Sequence, residues 1–140
     1  MAERPLAPTD PLADSLVQLG YLLLDEIGQA TAEHEVSLTQ LRLLGILRER
    51  SRSMAAIAER LRLDRSSVSG LIDRAERRGL VSRRTSAEDA RVTLVDLTDA
   101  GAALTAQLAV SVSQRLDRVV APLSARDRAE LLRLTDAITE

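Results

Sequence analysis

All of the positive charge in this 140-residue chain is arginine, 19 residues with no lysine, and it is concentrated in one stretch. Residues 48–91 hold twelve arginines against seven acids, a net +5, whereas residues 1–47 come to −5 and residues 92–140 to −2. Within the basic stretch lies a run of arginine, hydroxyl and glycine positions: Arg65, Ser66, Ser67, Ser69, Gly70 and Arg74. Guanidinium groups neutralise phosphate, and small side chains let a helix N-terminus with its free amides approach an anionic backbone. A second group follows, Arg84, Asp89 and Arg91, in which a carboxylate stands two residues from an arginine. An arginine held in this way suits a narrow groove of strong negative potential. The plain alternative for the first group is a solvated helix with serines near its cap. For the second it is an exposed ion pair, worth almost nothing energetically. Other chemistry is poorly supplied. With no cysteine there is no thiol redox chemistry, disulfide or thiolate metal site, and a single histidine, His34, makes a histidine metal site within one chain unpromising. No nucleophile elbow, phosphate-binding glycine loop or metal-ligand cluster is present, so neither an enzyme nor a cofactor is expected.

The elements that must carry these residues are legible from spacing. Met54, Ile57, Ala58 and Leu61 repeat as i, i+3, i+4, i+7 behind a capping Ser53, which predicts a short helix with one buried face. Arg62 and Leu63 connect it to a second helix opened by Asp64, with Val68, Leu71, Ile72 and Ala75 as its apolar stripe and Gly79 as its close. Two such helices can pack only across each other, as a helix-turn-helix. The arginine and serine positions then lie opposite the buried stripe. Residues 80–84 and 92–97 read as two strands around the polar loop 85–91, a hairpin that turns the motif into a winged helix.

At these residues the chain resembles the MarR (multiple-antibiotic-resistance regulator) family of bacterial transcription factors. The matching positions are Ile57-Ala-Glu-Arg-Leu-Arg-Leu-Asp-Arg-Ser-Ser-Val-Ser69, Leu71-Ile-Asp-Arg74, Arg78-Gly-Leu-Val81, the Asp89-Ala-Arg91 wing and Leu97-Thr-Asp-Ala-Gly101, with 37–44 resembling the family's entry to its second helix. The wing Asp-x-Arg followed by Leu-Thr-x-x-Gly is the specific part. The resemblance implies a two-fold dimer that places two recognition helices in successive major grooves of a palindromic operator, with wings in the flanking minor grooves. It also implies a repressor released by a small molecule bound between the dimer helices and the DNA-binding lobe. Tyr21, His34 and Arg42 are the polar groups near apolar faces that could meet such a ligand, although each has a plainer role on the surface or at a core edge. Three positions depart from the family pattern. Arg65 replaces a frequent proline, which leaves the helix start less rigidly set, and Gly70 replaces a larger polar side chain, at about 1 kcal/mol of helix stability relative to alanine. Arg52 stands where a short apolar strand usually precedes the third helix, which argues against that strand here.

The remaining sequence predicts the scaffold. Residues 1–11 hold three of the four prolines and read as a flexible arm. Leu12, Leu16, Leu19, Leu23, Ile27 and Ala30 mark a long helix to about residue 33, and Ser37 with Gln40 forms a capping-box signature for the next, through Leu41, Leu44 and Leu47. Thr98 caps a helix carrying Leu104, Leu108, Val112, Leu116 and Val119, and Pro122 ends it. Ser124 caps a last helix whose Leu131, Leu134 and Ile138 should face inward. The expected architecture is mainly α: a winged helix-turn-helix over 37–97 with a two-stranded wing, and dimerisation helices over 12–36 and 98–140. With one tyrosine and no phenylalanine or tryptophan, its core must be aliphatic. The apolar patch at 19–24 is too short to cross a bilayer, so a soluble cytoplasmic protein is expected. Its expected partners are double-stranded DNA, a second copy of itself and a small-molecule effector. The rival reading is a winged helix turned protein-binding module, against which Arg84, Asp89 and Arg91 argue.

Overall fold

The computed structural model describes residues 10–140. Six helices and one small sheet follow the predicted order. Of the segment read as an arm, residues 1–9 lie outside the described residues. Asp10 and Pro11 belong to the first helix: Asp10 caps it by accepting from the Leu12 amide at 3.0 Å, and Pro11 is its first residue. Helix α1 (Pro11–Glu33) is followed by α2 (Leu38–Glu49), whose start is the reciprocal box between Ser37 and Gln40, both bonds 3.1 Å long. Strand β1 (Arg52–Ser53) leads into α3 (Met54–Leu61), and α4 (Arg65–Arg77) packs across it. Strands β2 (Val81–Thr85) and β3 (Thr93–Leu97) form the wing, and α5 (Asp99–Val119) and α6 (Ala125–Thr139) complete the chain.

The core is aliphatic and sits under the helix-turn-helix. Leu43, Leu44 and Leu47 of α2, Ile57 and Leu61 of α3, and Val68, Leu71, Ile72 and Ala75 of α4 are buried together with Leu80, Val81, Val95 and Leu108. The four buried positions of α4 are those of its apolar stripe, so the opposite face is left to solvent.

The sheet has three strands, not two, in the order β1-β3-β2 and antiparallel throughout. The expectation that Arg52 removes the first strand is therefore corrected. Strand pairing is made by backbone groups, and Arg52 and Ser53 pair with Val95 and Leu94 whatever their side chains. Arg52 is only 8% exposed. One end of its guanidinium reaches Glu49 at 3.1 Å, while its Nε has no hydrogen-bond partner among the described residues.

The Leu-Thr-x-x-Gly segment locks the wing to the long fifth helix. The Thr98 hydroxyl donates to the Gly79 carbonyl at 2.5 Å and accepts from the Gly101 amide at 3.0 Å, while the Thr98 amide donates to the Leu80 carbonyl at 3.0 Å. Gly101 is obligatory: a Cβ there would lie 2.0 Å from the Leu80 carbonyl oxygen.

The scaffold is tied together along α1 and α5. Arg115 of α5, largely buried, donates to Gln29 at 2.9 Å and Glu26 at 3.3 Å and pairs with Glu33, all on α1. α6 differs, because none of its residues is buried within the single chain. Leu134 and Ile138, expected to face inward, are 45% and 76% exposed, and Leu131 is half-buried. α1 likewise leaves Leu12, Leu16, Val17 and Leu22 exposed. Among the described residues no helix is long and apolar enough to cross a membrane.

Candidate nucleic-acid interface

The N-terminus of α4 is fixed by Asp64. Its carboxylate accepts from the Ser67 amide at 2.7 Å, the Ser66 hydroxyl at 2.9 Å and the Ser67 hydroxyl at 3.1 Å. These bonds, the backbone one first, hold the Asp64 carboxyl below the ordinary aspartate range. They also replace the restraint that a proline at 65 would have given, so the helix start is firmly set after all. Ser66, Ser67, Gly70 and Arg74 line one hollow with Ser37 and Thr39 of the α2 start, about 390 Å³ in volume. The guanidinium of Arg74 lies across Gly70, its Nη1 3.2 Å from where a Cβ would stand. Ser69, half-buried, is one turn beyond Arg65 and outside this hollow.

Arg65 belongs to a second hollow of about 340 Å³, shared with Ser53, Met54 and Ala55 at the α3 start and with Arg91, Val92 and Thr93 of the wing. The structure thus brings a helix arginine and the wing arginine to one concave surface. Arg91 is strongly exposed, with 90% of its side chain open to solvent. Asp89 nevertheless fixes it, accepting from Arg91 Nε at 3.1 Å, Nη2 at 3.2 Å and its amide at 3.0 Å. The Arg91 side-chain bond is the main reason that the Asp89 carboxyl is also held below its ordinary range. Arg84 lies lower on the hairpin, where its Nε donates to Asp96 at 2.7 Å and its Nη2 to Ser51 at 3.1 Å. It ties β2 to β3 and to the residue before β1.

A residue that sequence reasoning passed over joins the two halves of this surface. Arg83 of β2 donates to Asp73 of α4 at 2.7 Å and pairs with Glu76 one turn further on. Both carboxylates keep the guanidinium firmly charged, Asp73 first. The wing therefore cannot swing without disturbing α4. The signal available in sequence was parity: Val81 is buried, and alternate residues of a strand share a face, so Arg83 points to the same side as Val81.

The three candidate ligand residues are not brought together. Tyr21 is 70% exposed on α1, His34 is half-buried at the α1 C-terminus, and Arg42 lines a shallow hollow with Ile46, Glu49 and Arg60. An apolar groove lies elsewhere, between α2 and α5. It has a volume of about 510 Å³ and is walled by Leu41, Leu108, Val112 and Leu116, with Arg48 and Asp117 as its charged members. None of the three candidates lines it.

This arrangement, a basic winged helix carried on a long helical scaffold, defines a class, and the comparisons agree with it. Residues 34–92, the segment from the end of α1 to the wing, match the model of the MarR family. Solved structures share the whole fold. Wild-type MarR from E. coli in its apo form is 21% identical over 96% of this chain and 100% of its own, with a TM-score of 0.82. A mutant form of MarR from E. coli, complexed with operator DNA, is 22% identical over 93% of this chain and 94% of its own, with a TM-score of 0.76. BpsR of Bordetella bronchiseptica, whose DNA binding is regulated by 6-hydroxynicotinic acid, is 20% identical over 98% and 99%, with a TM-score of 0.79. No curated protein sequence matches the chain.

Proposed function

We propose that this protein is a sequence-specific regulator of transcription that binds double-stranded DNA as a homodimer, acts as a repressor at a palindromic operator, and is released by a small organic effector. One observation carries the DNA reading: Arg91, held by Asp89 at the wing tip, faces the same hollow as Arg65 of α4, in the segment of the chain with net +5. A protein-binding module would have no use for an arginine so exposed and so firmly aimed.

The dimer is supported by α1 and α6. Their exposed leucines and Ile138 have no core to join within one chain, and a second copy is the occupant that a face built from both chain ends suits. Two copies related by a two-fold axis carry two α4 helices, which makes the operator palindromic. That MarR is seen with operator DNA supports the partner, and that BpsR responds to 6-hydroxynicotinic acid supports an effector. The groove between α2 and α5 suits a molecule with an apolar body and one polar end that meets Arg48 and Asp117.

The test is titration of duplex fragments, selected from the source genome with the purified protein, over a range of salt. DNA binding must weaken steeply as salt rises, because each neutralised phosphate releases counterions. Retention of no fragment, or binding indifferent to salt, would favour the protein-binding module instead.

A further inference from the structure

We propose that Asp64 determines base preference by holding the hydroxyl protons of Ser66 and Ser67, so that these two side chains meet DNA with lone pairs only. This rests on the DNA-binding reading above and deepens it. A serine hydroxyl ordinarily both donates and accepts, and so has little to say about which base it touches. Here the choice is removed. An ionised carboxylate carries no proton, so the contacts at 2.9 Å from Ser66 and 3.1 Å from Ser67 must each be donated by the serine. The position of the Asp64 carboxyl below its ordinary range keeps it ionised at neutral pH. Both serines are exposed and wall the hollow that also holds Gly70 and Arg74. Their remaining lone pairs are therefore open to a ligand, and their protons are not.

The consequence follows from the chemistry of the major groove. Every base pair shows there one amino group, on adenine or cytosine, and one keto group, on guanine or thymine. A hydroxyl that can only accept is matched by the amino group and repelled by the keto oxygen or a phosphate oxygen. Ser66 and Ser67 thus read which strand carries the amino base. Arg74, about two turns further along, has donors only, so the two serines and Arg74 ask for opposite partners on the DNA.

Selection from a pool of randomised duplexes tests this, using the full chain, Asp64→Asn, and Ser66→Ala combined with Ser67→Ala. Asparagine keeps an oxygen for the Ser67 amide and still caps the helix, without the carboxylate charge. Its NH2 group would donate to one serine and release that serine's proton. The full chain should select adenine or cytosine over guanine or thymine, about three- to tenfold, at one or two adjacent positions of each half-site. The double alanine variant should lose that preference, and Asp64→Asn should lose it at the position met by Ser67, each keeping the rest of the site. An unchanged preference in either variant, or a keto preference in the parent, overturns the proposal while leaving the DNA reading intact. A parent that enriches no sequence removes both.

Discussion

At the scale of single residues, Arg91 and Asp89 divide two jobs that a binding curve can separate. If Arg91 enters the minor groove, it acts through the local negative potential, which follows groove width more than base identity. Arg91→Ala should weaken operator binding on the order of tenfold, lower the salt slope by about one unit and relax preference in A/T-rich flanks. Asp89→Ala should cost less and leave the slope nearly unchanged, since the carboxylate positions the arginine and would touch no phosphate. Arg91→Ala binding like the parent on every flank would reduce the wing to a structural hairpin. The same carboxylates set an acid limit. Asp64 and Asp89 have folded-state pKa values below the ordinary aspartate value of 3.8, so their contribution to stability is present above that value. It is lost as pH falls through the folded pKa. Melting curves of the parent and Asp64→Asn should therefore differ at neutral pH and converge once the pH is well below 3.8. A difference that persists in acid would mean that the carboxylate charge is not what stabilises the cap.

At the scale of elements, two joints matter more than any surface pair. The first is the entry to α5, where Gly101 packs against the Leu80 carbonyl. Gly101→Ala must push α5 away from the end of α4, and a loss of about 1–3 kcal/mol is expected in denaturant unfolding. An unchanged midpoint would show that the joint has slack. The second joint is Arg83 between β2 and α4. Arg83→Gln should lower operator affinity with little change in salt slope, because the bonds it breaks are internal ones; a fall of one unit in the slope would instead make Arg83 a phosphate contact. These joints also mark where sequence reading stops. Ser37, Ser53, Asp64, Thr98 and Ser124 were legible as caps, because a cap is a local bond within three residues of its donor. The apolar stripe of α4 was legible for the same reason, and it implied the exposed face opposite. β1 was not, since an arginine conceals a pairing that only the backbone makes, and Arg83 was not, since its partners on α4 are seven and ten residues away. The ligand candidates failed to gather because polar side chains on separate faces say nothing of where two helices leave a groove.

At the scale of the whole molecule, the reading face and the scaffold meet at one further contact. Arg78, at the end of α4, donates to the Glu35 carbonyl at 2.7 Å and to the His34 carbonyl at 3.4 Å in the turn between α1 and α2. A change in the scaffold thus reaches α4 through the residue that caps its end, while Thr98 reaches the turn after it through Gly79. The proposed dimer would then be more than a way of doubling contacts, since the spacing of two α4 helices would depend on how the scaffolds are joined. The decisive variant is Leu134→Ala with Ile138→Ala. Both side chains are exposed in the single chain, 45% and 76%, and no residue of α6 is fully buried within it, so the winged helix should remain folded and melt as before. Light scattering at micromolar concentration should then show a shift from dimer to monomer. Operator affinity should fall by about a hundredfold or more, as the second α4 no longer binds at high effective concentration. The salt slope should drop to roughly half, because one copy covers half of the phosphates. A variant that stays dimeric with undiminished affinity would place the interface elsewhere and leave the apolar face of α6 without its proposed occupant.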